Sequence, residues 1–469
     1  MTKLKHASRK TAIHRLWLNS VAVLALTGSV GFLGSSSSHA ESLQEALVST
    51  YNTNPTLLAA RDALRAVDEQ VPQALSNYRP DLSGTTSAGL QRSRTRTSTN
   101  GDTTQNTQPL SVALNISQSL YRGGRTEAQV EQAENTVLAQ RATLRSVEQS
   151  VFQSAVSAYA DVWRDEAVLR LNISNERVLA RQLEAVQDRF EVGELTRTDV
   201  AQAESRLAQA VATRVAAEGD LKSSAATYEQ IIGMPYTVVE QPFPFGQLPG
   251  NLEGLLNEAD SNNPGVVAAR FTEQAARDTI RLVKGELYPE VSLNGSVAYN
   301  DEQSSRDTDV TSGAVTAQVT IPLYQQGVVY SRVREAKHTA NQRLIEVREQ
   351  ELAVRESAIS SWEQLVSTRA QLQSLQTAVS AAEVALEGVR QEEEVGQRTI
   401  LDVLDAEQEL LDASVDLVVA QRDEVVATYN VLAASGKLSA DFIGLNADLY
   451  DPSQNYNAVR DRWFGTDIQ

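Results

Sequence analysis

Cysteine is absent from all 469 residues, and histidine is nearly so. Without cysteine the sequence can form no disulfide, offers no thiol nucleophile and carries no cysteine for lipid attachment. Of its four histidines, only His338 lies beyond residue 40. One histidine without cysteine cannot build the usual zinc sites or a histidine-based catalytic triad. The composition therefore argues against an enzyme, and we expect no cofactor and no metal.

Basic residues are also scarce, with 42 lysines and arginines against 60 aspartates and glutamates. The formal charge is −18, and it becomes −23 without residues 1–40, which hold five bases and no acid. Affinity for nucleic acid comes largely from lysine and arginine on phosphates. We therefore expect no nucleic-acid partner.

Residues 1–40 have the three-part pattern of a secretory signal peptide. Basic residues come first, the apolar stretch LWLNSVAVLALTGSVGFLG follows, and small residues end at SSSSHA. We expect cleavage after Ala40; the alternative is a membrane anchor, which the short, interrupted apolar stretch disfavours. Beyond this segment no run of 18 apolar residues occurs, so the sequence offers no candidate for a spanning helix.

Proline is missing from Leu110 to Met234 and from Leu323 to Asp451. Within both stretches apolar residues recur every seven positions, as in Val130, Val137, Leu144 and Val151 and in Leu365, Leu372, Val379 and Leu386. Such repeats indicate helices that supercoil against their neighbours. The 68 residues from Arg125 to Val192 would form a helix of about 100 Å.

The chain is one unit of roughly 200 residues written twice, which decides its architecture. Short sequence pairs of the first copy recur in the second. Asn54-Pro55 recurs as Asn263-Pro264 and Arg79-Pro80 as Tyr288-Pro289, both 209 positions later. Tyr121 with Gly124 recurs as Tyr324 with Gly327, 203 positions later. We predict a first repeat at 41–234 and a second at 252–436. A proline-rich linker at 235–251 joins them, and a tail follows at 437–469, which either packs against the helices or stays mobile.

Strands are predicted at about 82–92 and 109–121 in the first repeat, and at about 290–300 and 314–324 in the second. Their apolar residues alternate with small polar ones, which fits an ordinary half-buried sheet or a membrane barrel. Four strands cannot close a barrel, and an open edge in lipid leaves backbone groups unsatisfied. In a bilayer several chains would have to share one barrel, and three chains would supply twelve strands.

Each repeat also contains a copy of one short motif, FEVGELTRTDV in the first and EEVGQRTILDV in the second. The shared glycine, threonine and aspartate predict a helix C-cap, an N-cap and a capping box, with tips at 193–199 and 396–402. Each motif therefore predicts a helical hairpin. Capping does not account for Asp405, which shares a helix face with Asp402. These two acids could form stacked negative rings in an assembly, or they could belong to a solvated acidic face.

This sequence resembles the TolC-type outer-membrane channel proteins. The resemblance rests on the duplicated unit, on its Asn-Pro and Arg-Pro or Tyr-Pro pairs, on LYRGG, and on the VGxxTxxDV tips. It is especially close in RTILDVLDAEQEL at 398–410. The resemblance covers about residues 41–437. It implies a homotrimer in the outer membrane of a Gram-negative bacterium, with a twelve-stranded β-barrel, four strands per chain, continuing into a periplasmic α-helical tunnel closed at its tip. It also implies an export duct for a tripartite efflux pump or a type I secretion system. The partners implied are a periplasmic adaptor, an inner-membrane transporter and outer-membrane lipid.

The resemblance also implies roles for tip residues. Aspartate rings that control ion passage fall on Asp402 and Asp405. A linking arginine falls on Arg398, with partners at Thr198 and Asp199. Glu393 stands where the family pattern has a tyrosine, so repulsion from Asp199 is expected unless Arg398 or a cation compensates. Contact with the adaptor is expected at the hairpin tips, at Val192, Gly193, Thr196, Val395, Gly396 and Thr399.

Two other classes of protein remain as alternatives. A periplasmic coiled-coil scaffold or adaptor would also show heptads and a helical hairpin, but the four alternating strands argue against it. A secreted hydrolase would need a convergent acid–base cluster, and none is evident once capping explains the tip acids. Within the channel interpretation, the sequence does not separate drug efflux from protein secretion.

Overall fold

The computed structural model describes residues 41–97, 101–303 and 305–468, so the predicted signal peptide at 1–40 lies outside the described residues. The described part contains two successive copies of one arrangement. The first copy comprises α1 (Leu43–Thr53), α2 (Pro55–Asp68), α3 (Gln70–Leu75), β1 (Asp81–Ala88), β2 (Gln91–Thr97), β3 (Gly101–Thr107), β4 (Leu110–Arg122), α4 (Arg125–Glu191) and α5 (Arg197–Ile232). The second comprises α6 (Leu252–Asn262), α7 (Pro264–Lys284), β5 (Glu290–Asp301), β6 (Asp309–Thr320), α8 (Val328–Glu394) and α9 (Ile400–Ala434), and α10 (Gln454–Val459) lies in the tail.

The repeated Asn-Pro pairs are helix starts. Asn54 caps α2 by accepting hydrogen bonds from the Thr56 and Leu57 amides, and Asn263 caps α7 by accepting one from the Gly265 amide. In both helices proline takes the first helical position, where its missing N–H costs nothing. The Asn-Pro pair therefore has the same role in both copies, which is to start a helix.

Helices α4 and α8 each contain 67 residues, which corresponds to about 100 Å. Each begins after a left-handed glycine, Gly124 with φ of 77° and Gly327 with φ of 80°. In the described part of the chain, no helix combines the length and apolarity needed to cross a membrane.

The two copies contribute to a single antiparallel sheet in the order β1-β4-β5-β6. Strand β4 of the first copy pairs with β5 of the second along twelve residue pairs, interrupted by one irregularity between Ser119 and Tyr121. The predicted fold class, four sheet-forming strands per chain joined to very long helical hairpins, is confirmed.

The faces of this sheet differ as the alternation predicts. One face carries apolar side chains that stay exposed in the chain, among them Leu82, Leu114, Ile116, Val297 and Val315. Their register places them together, since Leu82 lies opposite Ile116 and Leu114 opposite Val297. The other face carries small polar residues such as Ser83, Thr85 and Ser111. We call these the apolar face and the polar face.

Strand limits differ from those expected. The strand expected at 82–92 stops at Ala88, where Pro109 stands on the opposite side without an N–H to donate. The strand expected at 314–324 lies at Asp309–Thr320, because Pro322 cannot continue the ladder and residues 309–313 also pair with β5. A separate two-stranded sheet, β2-β3, was not expected, since its polar residues show no apolar alternation.

The largest core cluster lies along the middle of α4 and includes Phe152 and Tyr159 together with Tyr228 of α5 and Leu432 of α9. The tail packs on this core rather than hanging free. Leu438, Ala440 and Ile443 are buried in it. Further on, Asn455 donates to Asp68 at 2.9 Å and Arg460 pairs with Glu134 at 3.2 Å.

The junction of β4 and α4 yields a stability prediction. Gly123 and Gly124 both have left-handed φ, 65° and 77°, but only at Gly123 would a Cβ meet the backbone, 2.3 Å from the Gly285 carbonyl oxygen. We expect Gly124→Ala to cost about 1–2 kcal/mol from backbone strain alone. Gly123→Ala should cost about 1–3 kcal/mol more because of overpacking. Thermal unfolding in detergent, followed by circular dichroism, measures the stability of both variants. Equal losses of stability in the two variants would contradict the steric clash expected at Gly123.

Candidate gate at the helical tips

Each long helical hairpin turns at a glycine and restarts with a capping box. Gly193 and Gly396 adopt left-handed φ of 84° and 76°. The Thr196 amide and hydroxyl both donate to the Asp199 carboxylate, at 2.8 and 2.7 Å. Thr399 and Asp402 repeat these bonds at the same distances. The predicted helical hairpins and capping boxes are therefore present in both copies.

These caps hold both aspartates ionised. Hydrogen bonds from the Thr196 amide and hydroxyl lower the pKa of Asp199. The Thr399 amide and hydroxyl, helped by the Arg398 charge, lower the pKa of Asp402. Because a depressed carboxyl pKa stabilises the folded state above the unfolded pKa, the contribution is present at neutral pH. It is lost as the pH falls through the depressed value.

The two hairpins of the chain touch near their tips through apolar side chains. Ile400, the first residue of α9, packs with Val186 of α4 and Ala203 of α5. About one turn further along α9, Leu404 packs with Leu179 and Ala210, which lie seven residues from Val186 and Ala203. These small clusters follow the heptad spacing and place α9 against the first hairpin.

Two ion pairs join the hairpins beside these clusters. Arg189 Nη1 of α4 lies 2.7 Å from Glu393 Oε1 of α8, and the Glu393 side chain is only 16% exposed. Arg206 Nη2 of α5 lies 2.6 Å from Asp405 Oδ1 of α9. The hydrogen bond with Glu393 raises the pKa of Arg189. Both pairs cross from one repeat to the other, so separating the hairpins would break them; we call them the inter-hairpin pairs.

The other residues expected in the gate, Arg398, Thr198 and Asp199, lie at the same tips, but the expected links between them are not formed within the described part of the chain. Arg398 bonds to Glu392 at 2.9 Å within its own hairpin, and its guanidinium lies 3.9 Å from Asp402. Thr198 is exposed and Asp199 is occupied by its cap. A link from Arg398 to Thr198 or Asp199 therefore stays a prediction for contacts between chains. Val192 and Val395, expected to contact the adaptor, are 72% and 69% exposed.

Arg189 and Arg206 were not expected from the sequence as partners of the tip acids. Glu393 was expected to meet repulsion from Asp199, whereas its described partner is Arg189. At the 203-position spacing of the repeats, Arg189 corresponds to Glu392 and Arg206 corresponds to Glu409, which are not the described partners Glu393 and Asp405. The spacing of the repeats therefore does not identify these pairs.

Comparison with known proteins matches both repeats of the chain. A family model described as "Outer membrane efflux protein" matches residues 46–234 and 255–437, that is, both repeats. The outer membrane efflux protein BepC of Brucella suis is 35% identical over 445 residues, covering 95% of each protein. The outer membrane protein TolC of Vibrio cholerae is 27% identical over 397 residues, covering 82% of this chain and 88% of its own length.

The backbone also resembles solved outer-membrane channels. The crystal structure of the Campylobacter jejuni CmeC outer membrane channel superposes with a TM-score of 0.76 at 15% identity, covering 89% of each chain. At this identity the likeness concerns the fold alone. It agrees with the sheet and the long hairpins described above.

Proposed function

Because the chain belongs to the outer membrane efflux protein family, we propose that it is a passive export duct of a tripartite efflux pump or a type I secretion system. It is an outer-membrane protein, and the family to which it belongs consists of channels rather than enzymes. One observation carries the proposal: a four-stranded sheet with an exposed apolar face is joined to helices of 67 residues. The apolar face can lie against lipid, and the long helices can line a passage that leads away from the membrane.

The duct is proposed to be a homotrimer. In the described sheet β1 and β6 are the edge strands, and unpaired edges in lipid would leave their N–H and C=O groups unsatisfied. If three chains join edge to edge, they form a closed barrel of twelve strands with every apolar face turned to outer-membrane lipid. The small polar residues then line the interior, which excludes few solutes on chemical grounds.

The passage is proposed to narrow at the helical tips. With three chains around an axis, Asp402 and Asp405 would form two rings of carboxylates that favour cations. Within each chain the inter-hairpin pairs hold α8 and α9 against the first hairpin. Links from Arg398 to Thr198 or Asp199 of a neighbouring chain would close the ring further. Opening would then require these contacts to separate.

The partners are proposed to be a periplasmic adaptor and an inner-membrane transporter, which supplies the energy. The exposed Val192 and Val395 at the two tips, beside Gly193 and Gly396, offer apolar contacts that a helical adaptor could cover. No catalysis is proposed, because substrate choice and energy both lie in the transporter.

Detergent dependence and mass test this proposal against a soluble periplasmic scaffold. We expect the protein to be extracted from cell envelopes only with detergent. Light scattering, corrected for bound detergent, should then give a mass three times that of one chain. Extraction in plain buffer as a monomer or dimer would contradict the duct and favour the scaffold.

A further inference from the structure

The β2-β3 hairpin continues the β1-β4 ladder beyond the rest of the sheet. Both ladders have the same register: in every pair the two residue numbers add to 198, from Asp81 with Ser117 in the first ladder to Thr97 with Gly101 in the second. Between the ladders the Gly89 amide donates to the Pro109 carbonyl at 3.0 Å, a pair that keeps the same register. The hairpin thus extends the β1-β4 ladder by about 23 Å, since each strand adds seven residues.

Unbroken register decides which side chains share a face. Strand residues alternate between faces, so Arg92, Arg94 and Arg96 fall on the side that Leu82 and Leu90 occupy, which is the apolar face. Ser93 and Thr95 fall on the polar face. Moving outward along the apolar face, the exposed apolar residues end at Leu90 and an unbroken row of arginines follows.

This arginine row keeps an excess positive charge in a chain that is acidic as a whole. The side chains of Arg94 and Arg96 are 66% and 79% exposed, and Arg92 is exposed. Across the ladder on the same face lie Asn106, Thr104 and Asp102. Asp102 bonds to Arg94 at 2.5 Å and to Arg96 at 3.0 Å, so one carboxylate pairs with two of the three guanidinium groups in the row.

The end of the second strand hairpin is acidic instead. Asp301 and Asp309 pair with each other there, and Glu302 accepts a hydrogen bond from the Gln108 amide at 2.8 Å. Asp301 also pairs with Leu110, so these acids stand at the level where the β1-β4 ladder ends. The arginine row lies beyond that level, on the other hairpin.

We propose that the arginine row binds the phosphate groups of an anionic lipid surface. The inference rests on the proposed membrane placement of the strands. A row that follows directly on a lipid-facing apolar band reaches the level of the headgroups, where guanidinium groups can bind phosphate oxygens in pairs. Charge and position therefore favour the lipid surface of the outer leaflet over a neutral partner.

Native mass spectrometry of the full-length protein in detergent tests this assignment, with diphosphorylated lipid A and phosphatidylcholine as probes. We expect the triple variant Arg92→Gln/Arg94→Gln/Arg96→Gln to bind lipid A roughly tenfold to a hundredfold more weakly. Its binding of phosphatidylcholine should not change. Asp102→Asn should strengthen lipid A binding a few-fold, because it frees Arg94 and Arg96.

The matched control is Arg177→Gln/Arg181→Gln/Arg306→Gln, which removes equal charge from exposed sites on α4 and from the acidic turn. Lipid A binding that falls equally in control and triple variant, or in neither, would overturn the proposal. If the triple variant binds lipid A as well as the wild type does but forms a less stable trimer, the proposal is also overturned, and the arginine row would belong to a contact between neighbouring chains. If the wild type needs no detergent and binds no lipid, the membrane placement itself fails.

Discussion

Arg189→Glu is expected to raise the ratio of open to closed duct about fivefold in planar-bilayer recordings. The substitution replaces an attraction with a repulsion at Glu393, whose side chain is mostly buried between the hairpins. Neighbouring charges that share one contact typically couple by about 0.5–3 kcal/mol, and one kilocalorie per mole is about a fivefold change in an equilibrium. The exposed side of Arg189 is screened by solvent, so the lower part of this range applies.

Exchanging the two charges distinguishes an effect of this ion pair from a general effect of changing the charge. Arg189→Glu/Glu393→Arg restores opposite charges and should return the open fraction close to that of the wild type. Arg181→Glu is the control on the same helix, because its described contact is with the Arg177 carbonyl of its own helix. If the double exchange conducts like the single variant, the pair does not hold the tip closed.

Asp402→Ala/Asp405→Ala is expected to abolish the cation selectivity of the duct, moving the potassium-to-chloride permeability ratio toward one. Two carboxylates per chain would leave the proposed rings, six in a trimer. Removal of Asp405 also frees the Arg206 guanidinium, which adds uncompensated positive charge at the same place. Reversal potentials in a salt gradient measure the change.

Asp188→Ala/Glu204→Ala serves as the matched control for the ring substitutions, since it removes two exposed acids from the first hairpin. Its selectivity should stay close to that of the wild type. Selectivity that survives the loss of Asp402 and Asp405 would keep the duct but place its constriction elsewhere, with Glu393 the next residue to replace.

Most of the backbone could be predicted because its signals are local. A glycine followed by Thr and Asp at fixed spacing defines each tip, and Asn-Pro defines two helix starts. The alternation along 82–88 and 290–300 defines strands and their two faces. Each signal depends on a few neighbouring residues, so it survives without knowledge of the tertiary structure.

What could not be predicted depends on distant parts of the chain. The β2-β3 hairpin has polar residues on both faces, so its only guide is a register inherited from β1 and β4. Arg189 and Glu393 meet only because the two repeats pack side by side. The docking of the tail through Leu438 and Ile443 likewise depends on a core built by helices hundreds of residues away.

Single-channel conductance of the wild-type protein in a planar bilayer is the most direct test of the central claim, that this chain forms an outer-membrane duct narrowed at its helical tips. We expect small, cation-selective openings from detergent-extracted protein. Absence of any conductance, together with solubility in plain buffer, would contradict the claim and leave a periplasmic coiled-coil scaffold as the better interpretation.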